Sequence, residues 1–261
     1  MALINETTAF NPDTICSPVV GIAARVGRHD SGEHQHSKAQ LLYAPHGCMT
    51  ITLDGLQCVL PPTRAAWIPS NTLHCAKMSN VVEYRSLYLE ASLNPRENDN
   101  IRIIEVNPLL KELIERMSFW GWDKPSQEMT NTLNLFVEEL QTAKQESLFL
   151  PMPSDPRLQP WLLTLENDAI APPLNQLSEQ VPASSKTISR MFNRETGMSY
   201  QAWRQQWRLL KSIEKLSLGL SVADVAHLLA FSSDSAFIAF FKQQTGQTPY
   251  QYINQSPTIT E

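Results

Sequence analysis

Residues 221–254 read SVADVAHLLAFSSDSAFIAFFKQQTGQTPYQYIN, and the spacing within this stretch sets its conformation. Apolar residues recur at helical intervals over Val222–Leu229 and again over Ser233–Thr245, with a Phe-Ser-Ser break between the runs. Ser233 stands where a helix N-cap accepts backbone N–H groups, and Gly246 stands where a helix ends through positive φ. Two helices of about eight and twelve residues joined by three or four residues make a helix-turn-helix signature.

Upstream, the same pattern occurs a second time at an offset of 49 residues. Ser184, Phe192, Thr196 and Gly197 reappear as Ser233, Phe241, Thr245 and Gly246, and Ser199 is matched by Thr248. The first copy predicts a short helix at Leu174–Val181 and a second at Ser184–Thr196. Between the copies, Trp203, Trp207, Leu210, Ile213 and Leu216 lie on one face of a single long helix, Ser199–Leu216, that would hold the two units apart. From about residue 158 onward the chain reads as helices only.

The whole chain carries 21 basic and 26 acidic residues, a net of −5, a balance that by itself argues against a nucleic-acid partner. The distribution alters that reading. Residues 1–156 hold 12 basic and 18 acidic side chains, whereas residues 157–261 hold 9 and 8. Within 184–215, Lys186, Arg190, Arg194, Arg204, Arg208, Lys211 and Lys215 stand against only Glu195 and Glu214. A local basic surface of this kind is the footprint of a phosphate backbone. On the second helix of the first unit the non-core positions are Ser185, Lys186, Thr187, Ser189, Arg190, Asn193 and Arg194, types that pair with base edges and phosphates. A single helix of that composition is explained equally well as a solvated face; its duplication at constant offset favours DNA. The second unit offers Ser233, Asp234, Ser235, Ile238 and Lys242, a less basic set, so the first helix is expected to carry more of the affinity.

Residues 15–90 have a different texture. Gln40–Ala44, Cys48–Leu53, Gln57–Leu60, Ala65–Ile68 and Val81–Leu89 are apolar or alternating and separated by turn residues, as in a sandwich or barrel. The period then becomes helical over roughly 107–120 and 126–146. Four prolines between 151 and 160 suit a linker or domain edge. The reading is a two-domain α+β chain, with residues 1–150 as a β-barrel carrying two helices, 151–160 as a Pro-rich linker, and 161–261 as an all-α tandem helix-turn-helix domain.

Residues 170–254 resemble the DNA-binding domain of AraC/XylS-type transcription regulators. The resemblance is carried by the alanine-led helix, the F-S-S turn, the aromatic pair before Lys242, and the G-x-T-P-x-x-Y run from Gly246 to Tyr252. It implies two helix-turn-helix units reading successive major grooves. Two positions depart from the pattern: Ala230 replaces the usual turn glycine, and Asn254 stands where an arginine often follows the tyrosine.

SGEHQHSKAQLLYAPHGCMTI and PPTRAAWIPSNTLHCAKM, residues 31–51 and 61–78, resemble the cupin-type sensor domain that precedes many such DNA-binding domains. In metal-binding cupins an H-x-H pair, a Glu and a distant His hold a divalent cation. Here the resemblance implies His34, His36 and His74 as ligands, with Gln40 in the glutamate-like position, where an amide binds a cation more weakly. Imidazoles hydrogen-bonded within a ligand pocket are the competing reading. Tyr43, Met49, Arg64 and Trp67 are the candidate effector-binding residues, Arg64 for an anion. In the resembling family, helix pairs like 107–146 mediate homodimers.

The longest apolar run, Val19–Ala24, is far shorter than the ~20 residues of a membrane helix. MALINETTAF lacks the basic and apolar regions of a secretory signal. Cys16, Cys48, Cys58 and Cys75 show no C-x-x-C pairing and fit reduced thiols in the cytoplasm. The expected function is a sequence-specific DNA-binding transcription regulator controlled by a small molecule or metal, not an enzyme. Its expected partners are double-stranded DNA, the effector, a second copy of the chain and, for an activator, RNA polymerase. A metal-dependent cupin enzyme with an accessory DNA-binding domain is the alternative, resting on the three histidines alone.

Overall fold

The computed structural model describes residues 3–4, 10–27, 29–53, 55–78, 82–93, 100–166 and 169–253. Asn254 lies outside them. The described residues separate into two compact units, those within 3–53 and 59–148 and those within 55–58 and 149–253.

In the first unit, β1 (Leu3–Ile4), β2 (Val19–Val26), β4 (Ala39–His46), β7 (Arg64–Ile68), β9 (Val82–Leu89), β10 (Arg102–Glu105) and β11 (Gln145–Glu146) form a seven-stranded sheet in the order β1-β2-β9-β4-β7-β10-β11. Every pairing after the parallel β1–β2 contact is antiparallel. A second, smaller sheet pairs β3 (His29–Asp30) with β8 (Cys75–Met78), and β8 with β5 (Met49–Leu53). The period of two along a strand sends successive side chains to opposite faces. On one face of the large sheet, Val19, Leu41, Tyr43, Trp67, Leu87 and Ile104 form a continuous core with α1 (Pro108–Ser118) and α2 (Ser126–Thr142). Asn107 caps α1 by accepting the Leu110 N–H at 2.8 Å, with Pro108 in the first turn. Gly21 permits the close approach of α1 to β2, because a Cβ there would stand 2.1 Å from the Met117 carbonyl oxygen. α2 stops at Thr142, four residues short of the periodicity, since Gln145 and Glu146 leave to pair with β10.

In the second unit, β12 (Phe149–Pro151) pairs with the start of β6 (Leu56–Leu60). There follow α3 (Gln159–Glu166), α4 (Leu174–Gln180), α5 (Ser185–Thr196), α6 (Tyr200–Ser217), α7 (Val222–Leu228), α8 (Asp234–Thr245) and α9 (Pro249–Ile253). The 49-residue repeat is a repeat of hydrogen bonds. Ser184 Oγ accepts from Thr187 N–H and Ser233 Oγ from Ala236 N–H. Thr196 Oγ1 donates to the Phe192 carbonyl and accepts from Met198 N–H, and Thr245 does the same with Phe241 and Gln247. Gly197 and Gly246 follow at φ 68° and 79°. Each second helix is thus closed at both ends by the same chemistry. Trp161, Phe192, Tyr200 and Trp203 pack as one aromatic cluster at the centre of the first helix-turn-helix.

The Pro-rich segment is pinned within this unit. Trp203 Nε1 donates to the Pro151 carbonyl at 2.7 Å, Gln206 donates to the Phe149 carbonyl, and the Glu195 carboxylate accepts from the Ser154 and Asp155 N–H groups. The turn of the second helix-turn-helix keeps its shape without glycine, since Ala230 adopts φ 54°. Arg208 braces that turn, donating to the carbonyls of Leu229 and Ala230 while its guanidinium lies 3.6 Å from the centre of the Phe231 ring.

Candidate functional site

Two surfaces carry chemistry, one in each unit. In the first unit, the face of the large sheet turned away from α1 and α2 borders a cavity of about 350 Å³. Phe10, Ile22, Leu42, Met78, Tyr84 and Tyr88 supply apolar and aromatic wall, and His29, Ser31, His34, His36, His74 and Gln40 supply the polar part. The three histidines come together as the H-x-H reading expects. His34 and His74 exchange backbone hydrogen bonds of 3.0 and 2.9 Å across an isolated bridge, which sets their rings 4.3 Å apart. One ring nitrogen from each of the three lies within 4.8 Å of the others.

The tautomers follow from the backbone. His34 Nδ1 is 3.0 Å from the Gly32 carbonyl, His36 Nδ1 2.5 Å from that of Lys38, and His74 Nδ1 2.8 Å from that of Thr72. A carbonyl oxygen only accepts, so each Nδ1 donates and each Nε2 keeps its lone pair. That is the arrangement in which metal-ligating histidines are held by their surroundings. Burial, helped by the neighbouring imidazoles, pushes the His74 pKa down to about 4; burial also lowers that of His36. The His36 and His74 rings are therefore neutral at pH 7. His74 Nε2 is buried with no hydrogen-bond partner, an arrangement that costs about 1–3 kcal/mol unless a ligand takes up the lone pair. Gln40 Oε1 lies 3.2 Å from His36 Nε2, and the Gln40 amide donates to Ser86 Oγ and Tyr88 Oη. Since both hydroxyls can donate as well as accept, the carboxamide can instead present its NH₂ to His36.

The four residues expected to bind an effector do not line this cavity. Tyr43 and Trp67 belong to the core under α1 and α2. They have the opposite strand parity to Leu42 and Gln40, so they point through the other face of the sheet. Met49 is buried on β5 but absent from the lining. Arg64 is spent on a two-pronged ion pair with Glu146, Nε to Oε2 and Nη2 to Oε1 at 2.7 Å each, and it also donates to the Thr63 carbonyl. The residues that sequence reasoning missed, Tyr88, Ser86, Tyr84 and Phe10, carry one usable signal: Gln40 and Leu42 share parity, and β4 pairs with β9 so that Gln40 faces Tyr88 and Leu42 faces Ser86.

In the second unit, α5 presents Lys186, Arg190, Asn193 and Arg194 to solvent, while Ile188, Met191 and Phe192 are buried beneath it. Ser185, Thr187 and Ser189 are half-buried, and their hydroxyls are engaged by Ser178 Oγ, Ser184 Oγ and the Ser185 carbonyl respectively. Arg194 pairs with Glu195 and reaches Asp155 at 3.6 Å. On α8 and at its cap, Ser233, Asp234, Ser235 and Lys242 are exposed, and Ile238 is half-buried; Ser233 Oγ is committed to its capping role. The basic cluster is smaller than the sequence count. Arg208 is buried against the second turn, half-buried Arg204 donates to the Ala171 carbonyl, and Lys211 and Lys215 both pair with Glu214. The exposed cationic face is Lys186, Arg190 and Arg194 on α5, with Lys242 on α8.

A β-rich domain with a histidine-lined cavity, followed by two helix-turn-helix units with matched caps, defines a ligand-responsive DNA-binding regulator. Residues 17–151 match the AraC-like ligand binding domain, and residues 177–255 match the helix-turn-helix domain. The chain belongs to the AraC-type family of transcription regulators. It is 30% identical over 255 residues to the HTH-type transcriptional regulator NimR of Escherichia coli K12, covering 96% of this chain and 93% of that one. It is 30% identical over 118 residues to the regulator RipA of Corynebacterium glutamicum, 45% of this chain and 35% of that protein. Among solved structures it is similar to ToxT of Vibrio cholerae at 10% identity and TM-score 0.37, covering 91% of this chain and 98% of that chain. No helix among the described residues is long and apolar enough to cross a membrane.

Proposed function

We propose that the histidine-lined cavity is the effector site, and that a small molecule or divalent metal bound there biases which operator geometry the DNA-binding unit favours, by population shift. The observation that carries this reading is the orphaned, buried His74 Nε2 beside two imidazoles of the same tautomer. His34, His36 and His74 would hold a metal, and the aromatic wall would hold an organic effector. On DNA, α5 acts as the principal reading helix, with Arg190 at a base edge and Lys186 and Arg194 on phosphates; α8, with Lys242 as its exposed cation, positions the protein. The half-exposed Leu109, Phe119 and Leu135 of the α1–α2 region serve a homodimer contact. Action is cytoplasmic, and an activating mode adds RNA polymerase as a partner.

Binding to the DNA upstream of the protein's own gene, titrated at two salt concentrations beside a scrambled duplex, tests the reading. Arg190→Ala is expected to weaken specific binding by about 1–3 kcal/mol at matched salt while leaving scrambled-duplex binding nearly unchanged. An equal loss on both duplexes assigns Arg190 to the backbone and rejects its role in base reading. Lys242→Ala is expected to cost less than Arg190→Ala on the same operator.

A further inference from the structure

The cavity described above has an electrostatic property that narrows what it binds. No Asp, Glu, Lys or Arg is among the described residues lining it. The nearby carboxylates are turned elsewhere. Asp13 acts on His36 only through its field and accepts three hydrogen bonds from the Ser37 N–H and Oγ, while Asp30 accepts from Gly32 N–H and Cys75 Sγ. The groups that converge are one ring nitrogen each from His34, His36 and His74, with the Gln40 carboxamide beside His36, and none of them brings a negative charge.

A divalent cation held by that set would keep its full double charge inside a cavity walled by Phe10, Ile22, Leu42, Met78, Tyr84 and Tyr88. An uncompensated charge in apolar surroundings is costly. Three histidines and one amide also leave coordination positions open on a transition metal. A carboxylate that occupies one of those positions offsets half of the ion's charge, and an apolar body on that anion fills the aromatic part of the cavity.

Resting on the reading of this cavity as the effector site, we infer that it binds a divalent transition-metal ion and a small carboxylate with an apolar body jointly, each raising the affinity for the other. Linkage makes the coupling reciprocal. Gln40 is what makes the carboxylate necessary, because a glutamate at that position would supply a fixed negative charge from the protein.

The test uses the full chain stripped with a chelator and titrated with Co²⁺, followed by visible absorption and calorimetry, with benzoate as the carboxylate probe and benzyl alcohol as its neutral counterpart. Benzoate is expected to tighten Co²⁺ binding by at least about fivefold, within the usual 5–150-fold range of coupling between sites, and to change the d–d spectrum. Benzyl alcohol should do neither, and benzoate should give no binding heat without metal. Gln40→Glu is expected to tighten Co²⁺ binding and to abolish the benzoate enhancement, and His74→Ala to remove the spectrum, with circular dichroism confirming that both variants fold. Co²⁺ binding that is indifferent to benzoate, or equally enhanced by benzyl alcohol, overturns the joint site while leaving metal sensing intact. Absence of Co²⁺ binding with and without benzoate overturns this inference and the metal part of the functional proposal together, and leaves a metal-free organic effector site.

Discussion

Replacing Ala230 by glycine is expected to make this protein more stable, the reverse of what Ala→Gly does in most places. Ala230 sits at φ 54° in the turn of the second helix-turn-helix, where an L-residue's Cβ crowds the following carbonyl oxygen at a cost of roughly 1–2 kcal/mol. Its side chain is exposed, so losing the methyl group removes no packing. The hydrogen bonds that define the turn, Ala230 N–H to His227 carbonyl at 3.0 Å and Phe231 N–H to Ala226 carbonyl at 2.9 Å, use backbone alone and survive the change. Against the released strain stands the greater freedom of glycine in the unfolded chain, roughly 0.4–1 kcal/mol. The balance leaves Ala230→Gly more stable by about 0.5–1 kcal/mol. In urea unfolding of the full chain, the transition assigned to the DNA-binding unit should move to higher denaturant with its slope unchanged. Ala223 is exposed inside α7, where glycine costs about 1 kcal/mol, so Ala223→Gly should move the same transition the other way. Destabilisation by about 0.4–1 kcal/mol or more would show that the turn holds no backbone strain, and no change would show strain that only matches the added freedom of glycine.

Three further outcomes follow from the same unit. Arg208→Ala removes two charge-assisted hydrogen bonds and the stacking on Phe231, and is expected to cost about 2–4 kcal/mol by denaturant unfolding. Arg208→Lys should not rescue it, because an ammonium is not a planar fork; full rescue by lysine would mean that charge alone matters. Lys186→Ala is expected to lower the slope of log affinity against log salt by about one on specific and scrambled duplexes alike, the signature of one phosphate contact, and an unchanged slope removes Lys186 from the backbone contacts. Trp203→Phe keeps most of the aromatic packing but leaves the Pro151 carbonyl without its indole donor, and should cost about 1–2 kcal/mol and speed limited proteolysis within 149–158. Stability and cleavage equal to wild type would show that this bond does not hold the segment.

Much of the DNA-binding unit was legible in the chain, because its structure is written in local chemistry. Ser184 and Ser233 cap, Gly197 and Gly246 terminate, and the apolar spacing between them leaves one helical face for the core. Each of these is an interaction between residues three or four apart, and it needs no knowledge of the rest of the molecule. The same locality brings His34 and His36, two residues apart in irregular chain, to ring centres 6.1 Å from each other. The function of Thr196 and Thr245, present in the repeat but unassigned by it, emerges only as hydroxyl bridges from the helix end to the residue beyond it.

The errors arose where the answer depended on contacts distant in sequence. Of the seven basic residues within 184–215, Arg208 turns inward to carbonyls 21 and 22 residues away, a loss that no local pattern announces, whereas Lys211 and Lys215 close on Glu214 within their own helix. The sequence leaves Arg64 either a salt bridge or an anionic effector, and Glu146, 82 residues on, meets it with both oxygens, an ion pair whose partner no local pattern could name.

The sequence by itself determined that a strand-rich first half precedes two duplicated helix-turn-helix units, and it singled out the helix that would read DNA. Period, caps and breakers act within a turn or a strand, and that information lies in the order of residues. Which face of the large sheet looks into the cavity was decided only by tertiary structure. A strand alternating with period two offers both faces equally, and α1 and α2, packing over Tyr43 and Trp67, leave the other face, with Gln40, Leu42 and Tyr88, to meet the histidines.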